Sequence, residues 1–390
     1  MSQGTWQTEQ TNSEEAAKKM TMQRTNKILG ITLGVLLLTG LAACGEGEKK
    51  ADQASAPAAN TQQAAAPAAA AGGKTLDNVK SYGKLKCGVN TGLAGFGAPN
   101  DKGEWSGLDI DVCRAVAAAV FGDATKVEYK PLNAEQRFTA LQSGEVDLLS
   151  RNSTWTMSRD TQLGLDFVAV NYYDGQGFMV RKESGIKSAL QLKGATVCVQ
   201  EGTTTEKNLG DYDKTNNIGM NPPAKFKESD QARGAYDEGR CDAYTTDASG
   251  LASERTALKN PDDNVILPEI ISKEPLGPAV RAGDSQWGDI VRWSFDAMLV
   301  AEEKGINMAN VDQVKGSSQD PEVRRLLGVE DKMGEGMGVS NDWAYNIIKQ
   351  VGNYDESFER NVGKDSPLKL DRGLNALWTK GGLQYAPPVR

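Results

Sequence analysis

The stretch Gly144–Arg159, GEVDLLSRNSTWTMSR, decides how this 390-residue chain is read. A short apolar strand, Val146 to Ser150, runs into the amide and hydroxyl side chains of Asn152, Ser153 and Thr154. It ends five residues past Thr154 in Arg159. An apolar strand that stops in small polar residues and one arginine lines a cavity, and a guanidinium there can grip a carboxylate through two parallel hydrogen bonds. A lone arginine more often pairs with a surface carboxylate, so the reading gains weight only from a partner elsewhere in the chain.

Working outward, the residues upstream alternate strand and helix. Lys84–Val89 is a strand; WSGLDIDVCRAVAAAVFG is a helix with Val112, Val116, Ala119 and Val120 on one stripe and Gly122 past its end. VEYKPL and AEQRFTALQSG follow as strand and helix, which favours a mainly parallel sheet covered by helices. Downstream the unit recurs: GATVCVQEG is a strand, TTTEKNL opens a helix, and GAYDEGRCDAYTTD pairs position for position with TALQSGEVDLLSRN. Ala140 matches Ala235, Gly144 matches Gly239, and Asp147 matches Asp242. The pattern implies two lobes of like topology, each offering polar strand ends. LDFVAVNYYDGQGFMVRK, interrupted at Asp174–Gly177, and LPEIISKEPLGPAVRAGD, with Pro275, Gly277 and Pro278, are the two extended crossovers. Lobe 1 is expected over residues 76–173 and 281–390, the latter with a helical C-terminal extension, and lobe 2 over 174–280.

Two lobes on two crossovers enclose a cleft that can close on a ligand. Besides Arg159, two features point into it. Gly202-Thr203-Thr204-Thr205-Glu206 has capping-box spacing and opens a helix, whose first N–H groups attract anions. Capping alone accounts for the box, but the extra hydroxyls favour a ligand contact; the turn lacks the lysine of a phosphate loop. Asp247 ends the echoed strand, where it either receives an ammonium group or caps the helix beginning at Ala248. An arginine on one lobe facing an aspartate on the other matches a zwitterion.

Composition narrows the classes. The net charge of −8 argues against a sequence-independent grip on nucleic acid, and the complete lack of histidine removes the commonest general base and metal ligand. At the N-terminus, Lys18, Lys19, Arg24 and Lys27 precede the apolar run Ile28–Leu38 and then Leu41-Ala42-Ala43-Cys44-Gly45. The run is short for a membrane span. Small residues ending at a cysteine resemble the bacterial lipobox, which makes residues 1–44 a leader and Cys44 a lipidation site; an uncleaved anchor is the alternative. Glu9, Glu14 and Glu15 are unusual in such a leader and point to a start at Met20 or Met22. The Ala/Gln/Pro-rich residues 45–75 read as a disordered tether. Cys87, Cys113, Cys198 and Cys241 remain, an even number in an oxidising compartment. Three pairings are possible; Cys87 with Cys113 and Cys198 with Cys241 is favoured because each pair then falls inside one lobe. Four free thiols are the alternative, and scattered cysteines without a CxxC disfavour a metal site.

From about Asp77 to Gly283 the chain resembles the periplasmic amino-acid-binding proteins of ABC importers, above all the general L-amino-acid (Aap/Bzt-type) family. WSGLDIDVCRAVAAAVFGD, RFTALQSGEVDLLSRNSTWTMSRD, NYYDGQGFMVRK, CDAYTTDASGLASER and VILPEIISKEPLGPAVR carry the resemblance, and DPEVRRLLG, NDWA, VGNY and RGLNALW extend it toward Arg390. It implies an α/β, two-lobed type II periplasmic binding protein of Venus-flytrap form, which binds an L-amino acid, works as a monomer without cofactor and hands its ligand to a membrane permease. It further implies that Arg159, after Thr154 and near Asn152, clamps the ligand carboxylate with Thr203 and Thr204, or Thr205 after a one-residue shift, while Asp247 takes the α-ammonium. Receptors for basic amino acids carry an acid where this chain has Asn90 and an aromatic near Leu93, so a pocket dedicated to lysine or arginine is disfavoured; Phe96 is the candidate apolar wall. Related folds host dehydratases and cell-wall lytic enzymes, for which Glu201 is the best candidate acid, and a ligand-presenting sensory role is a third reading.

Overall fold

In the computed structural model, residues 74–390 are described. The leader, Cys44 and all but the last two residues of the expected tether lie outside the described residues. Helix α1 (Thr75–Tyr82) leads into a first five-stranded sheet built from β1 (Leu85–Val89), β4 (Val127–Pro131), β5 (Leu148–Leu149), β6 (Leu165–Phe167) and β14 (Ala279–Arg281). The small hairpin β2 (Ala98–Pro99) and β3 (Trp105–Ser106) lies between β1 and helix α2 (Leu108–Phe121). Helices α3 (Gln136–Ser143) and α4 (Met157–Gln162) flank β5 in sequence.

The second sheet contains β8 (Gln176–Arg181), β9 (Val197–Gln200), β10 (Ala224–Phe226), β11 (Ala243–Asp247) and β12 (Asn264–Ile266), with α5 (Thr204–Asn216), α6 (Ser229–Asp237) and α7 (Ala248–Thr256). The strand orders, β4-β1-β5-β14-β6 and β10-β9-β11-β8-β12, are the same pattern twice. In each sheet three strands are parallel and the fourth, arriving from the other lobe, is antiparallel to its neighbour. The sheets are therefore mixed where strand and helix alternation had favoured mainly parallel ones, because a chain that crosses over must run back. The echo survives in backbone detail: Gly144 and Gly239 have φ of 79° and 80°. That left-handed turn suits glycine, which has no Cβ to clash.

Apolar residues buried without alternation, such as Leu148 and Leu149, mark strands covered on both faces. Helix α2 buries a run of alanines, Ala115 and Ala117–Ala119, and so packs close. Its N-terminus requires glycine: a Cβ on Gly107, at φ 136°, would stand 2.0 Å from the Phe96 carbonyl oxygen. Two disulfides join Cys87 of β1 to Cys113 of α2, and Cys198 of β9 to Cys241 just before β11, each inside one lobe.

A two-strand ladder of β7 (Tyr172–Asp174) and β13 (Glu274–Leu276) forms the crossover, with Asp174 opposite Glu274. After it, α8 (Ser285–Glu303) buries Ile290, Val291, Phe295, Met298 and Leu299. The helical extension follows as α9 (Val311–Ser317), α10 (Pro321–Leu326), α11 (Met333–Met337), α12 (Trp343–Gln350) and α13 (Tyr354–Asn361). Trp343, Ile347, Ile348 and Phe358 enter the core under the first sheet. Buried Asp111 of α2 gathers Ser357 Oγ, Arg360 Nη2 and Asn361 Nδ2, each at 2.6 Å. The extension also reaches the crossover: Asn375 accepts from Tyr173 N at 2.7 Å and donates to Tyr173 O at 3.1 Å, and Tyr354 donates to Asn171 O at 2.8 Å. Among the described residues, no helix is long and apolar enough to cross a membrane.

Candidate functional site: an interlobe cleft of opposed charges

The polar end of β5 is held from below by Asp109, at the start of α2. Its carboxylate accepts from Asn152 N at 2.6 Å, Asn171 Nδ2 at 2.9 Å and Ser150 Oγ at 3.5 Å. Burial pushes Asp109 up to about 6 in spite of these bonds. Asn152, bent to φ 32°, takes a hydrogen bond on its side chain from Asn90 at 2.8 Å. Asparagine tolerates this backbone region better than most residues.

Thr156 caps α4, accepting from Arg159 N at 3.3 Å, which places Arg159 in the first turn. The Arg159 side chain turns inward. Its Nη1 donates to Thr154 O at 2.9 Å, its guanidinium lies 4.9 Å over the Phe138 ring, and it forms no salt bridge among the described residues. The surface ion pair is thereby excluded. Arg137 stacks on the same ring at 4.8 Å and donates to Ser153 Oγ at 3.3 Å, leaving its Nε without a partner among the described residues. Arg151 donates to Leu132 O at 2.8 Å. Burial lowers all three guanidiniums: Arg151 to about 10, Arg137 well below its ordinary value with the other two arginines adding to the effect, and Arg159 against the pull of Glu274 and Asp247.

The opposing charges come from lobe 2 and the crossover. Asp247 stands at the N-cap position of α7, yet its side chain makes no capping bond, and Oδ1 has no partner among the described residues. The capping explanation for this aspartate therefore fails. Burial raises Asp247 well above an ordinary carboxylate, the nearby Asp174 and Glu274 charges raise it further, and Arg137 and Arg159 oppose the rise. Asp174, bonded to Ser249 Oγ, is pushed up to about 6 by burial. Gln176 donates to Thr205 O and Thr245 Oγ1, and its Oε1 has no partner among the described residues.

At the α5 N-terminus the three threonines separate in role. Thr203 accepts from Glu206 N at 3.1 Å, donates to Gln200 O at 2.7 Å and touches Thr205 Oγ1 at 2.9 Å, so Thr203 and Thr205 serve the cap. Thr204 crosses the cleft, with its Oγ1 3.3 Å from Thr154 Oγ1. The lobes also meet where Asn133 donates to Glu228 at 2.8 Å. Phe96, the expected apolar wall, is a core residue instead: it is 1% exposed and edge-on to Tyr172 at 5.3 Å. Arg137, Phe138, Arg151, Asp174 and Glu274 were missed by sequence reasoning. No metal-binding cluster occurs among the described residues.

A buried cleft between two like lobes, cationic on one side and anionic on the other, belongs to a solute receptor. The chain belongs to the bacterial extracellular solute-binding proteins, family 3, whose pattern matches residues 85–312. It is 63% identical over 325 residues to the general L-amino acid-binding periplasmic protein AapJ of Rhizobium johnstonii, covering 83% of this chain and 95% of that one. It is 60% identical over 327 residues to the glutamate/glutamine/aspartate/asparagine-binding protein BztA of Rhodobacter capsulatus, covering 84% and 96%. Among solved structures, an ABC transporter periplasmic binding protein from Brucella ovis with glutathione bound superposes with a TM-score of 0.80 at 62% identity, covering 81% of this chain and 99% of that one. These relatives are solute-binding proteins, not enzymes, and lend no support to Glu201 as a catalytic acid.

Proposed function

We propose that the protein captures an L-amino acid between its lobes in the periplasm and delivers it to the permease of an ABC importer. The observation that carries this is the pair Arg159 and Asp247: both are buried, they lie on opposite lobes, and among the described residues the side chain of neither is used by a salt bridge or a cap. Arg159 receives the ligand's α-carboxylate with the first N–H groups of α5, which have no intrahelical acceptor, and Asp247 receives the α-ammonium. Arg137, buried with a spare donor and stacked on Phe138, favours a polar or acidic far end and opposes a cationic one. The names of AapJ and BztA and the glutathione in the Brucella structure, whose γ-glutamyl end is itself an amino acid, support this reading. The finer parts of the proposal are a monomer, lobes over 76–173 with 281–390 and over 174–280 with the second boundary drawn back to Ala279, where β14 already pairs in the first sheet, and a lipid anchor at Cys44, testable by mass spectrometry of the N-terminal peptide.

Calorimetry of ligand-stripped protein with glutamate, glutamine, alanine and lysine tests the reading. Glutamate and glutamine are expected to bind, and lysine at least ~10-fold more weakly because a second buried cation faces Arg137. Failure to bind any of the four would sink the proposal.

Binding is expected to expel a proton. Asp247 and Asp174 hold protons above the ordinary carboxylate range, Asp174 up to about 6. An incoming ammonium favours their ionised forms, so affinity rises with pH, through about pH 5 to about pH 7 for the share due to Asp174. Calorimetry in buffers of different ionisation enthalpy reads the proton directly; a pH-independent affinity would contradict the charge arrangement.

A further inference from the structure

We propose that Glu274 is a positioning residue: it fixes the direction of the Thr154 and Thr204 hydroxyls so that both present only acceptor lone pairs to the cleft and select for an ammonium group. The inference rests on the amino-acid-binding reading and deepens it.

Glu274 begins β13 and is 1% exposed. Its Oε2 accepts from Thr154 Oγ1 at 2.5 Å and from Thr204 Oγ1 at 2.8 Å. Its Oε1 accepts from Asn208 Nδ2 at 2.7 Å and Ser272 Oγ at 2.7 Å. Each carboxylate oxygen thus serves two donors, and the group is used up by the protein. An ionised carboxylate can only accept, and a threonine hydroxyl owns a single proton. The protons of Thr154 and Thr204 are therefore both committed to Glu274.

The two hydroxyl oxygens approach to 3.3 Å from opposite lobes with no proton left for each other. Such a spot is rich in lone pairs and suits a donor. The unpartnered Asp247 Oδ1 adds another acceptor on the same chemical side. The threonine hydroxyls then belong with the ligand's ammonium, and the carboxylate is left to Arg159 and the α5 backbone. The resemblance alone had put Thr204 on the carboxylate.

The test compares L-glutamate with (S)-2-hydroxyglutarate, which replaces the ammonium by a neutral hydroxyl. Wild-type protein should prefer glutamate by ~100-fold or more, since hydrogen bonds to a charged group are the strong ones. In Glu274→Gln one carboxylate oxygen becomes an N–H donor, at least one committed proton is released, and the amine preference should fall at least ~10-fold. Equal weakening of both ligands, with the ratio unchanged, would show a merely structural role and overturn the inference. Should Glu274→Gln melt as an unfolded chain, Thr204→Val carries the same test: loss of amine preference supports the inference and an unchanged ratio overturns it. Wild-type protein that binds no amino acid overturns the parent reading and this inference together, so the two failures are distinct.

Discussion

Arg159→Ala is expected to weaken L-glutamate binding by ~10²- to 10³-fold, about 3–4 kcal/mol, the usual cost of removing one partner of a buried charge-assisted pair. The size follows from the surroundings. Arg159 is anchored to the Thr154 carbonyl and stacked on Phe138, so its guanidinium is already ordered before any ligand arrives. Among the described residues its charge-matched opponents, Glu274 and Asp247, act at longer range. Arg159→Lys should recover at most a small part, because an ammonium cannot reproduce the planar fork or the stack. The folded state should tolerate both changes, as removal relieves crowding with Arg137 and leaves no ion pair broken. Calorimetric affinities with thermal melts as a folding control check this; near wild-type affinity for Arg159→Ala would remove the centre of the proposed site.

The second large effect is on stability. Cys198→Ala with Cys241→Ala opens a closed loop of 43 residues and is expected to cost about 4 kcal/mol of unfolding free energy in the chain-entropy account. The Cys87–Cys113 loop spans 26 residues, and the same change there should cost about 3.5 kcal/mol. Urea midpoints of the two double variants, compared with wild type, measure both losses. A midpoint unchanged in either variant would mean that the cross-link constrains little of the unfolded chain.

The two-lobed fold was legible because its signals are local and doubled. Glycine-ended helices, short polar-tipped strands and the echo around Gly144 and Gly239 are each written within some fifteen residues. The charged site was only half legible. Asp247 ends β11 and Arg159 opens the short helix that follows the polar end of β5, positions that suggest exposure to a cleft. Arg137 lies within a helix whose sequence does not say which charged residue turns inward. Glu274 meets Thr154 across 120 residues of chain, a contact no local pattern encodes. Among Thr203, Thr204 and Thr205, the helix start was plain, but a one-residue shift rotates the side chain by a large angle, so only the packed structure separates the residue that spans the cleft from the two that serve the cap. Phe96 was misplaced for a similar reason: a large ring in a glycine-rich loop can line a pocket or fill a core, and Tyr172, distant in sequence, decides for the core.

The lacing of the C-terminal extension onto the crossover has a mechanical meaning. Tyr173 is tied through Asn375 to the C-terminal extension, while Gly175 O already accepts from Ala248 N at the start of α7 in the second lobe. On the return path, Pro275 O holds Trp155 N in the segment between β5 and α4, and Ile271 N is bonded to Gln176 O of the second sheet. Any rotation between the sheets must be taken up at Asp174 on one strand and at Ser272–Glu274 on the other. Asp174 and Glu274 face each other there. The axle of the molecule is thus made of the same carboxylates whose charges bear on Asp247 in the cleft, and a cation bound beside them is expected to act on the bearing itself, without a linkage to carry the signal.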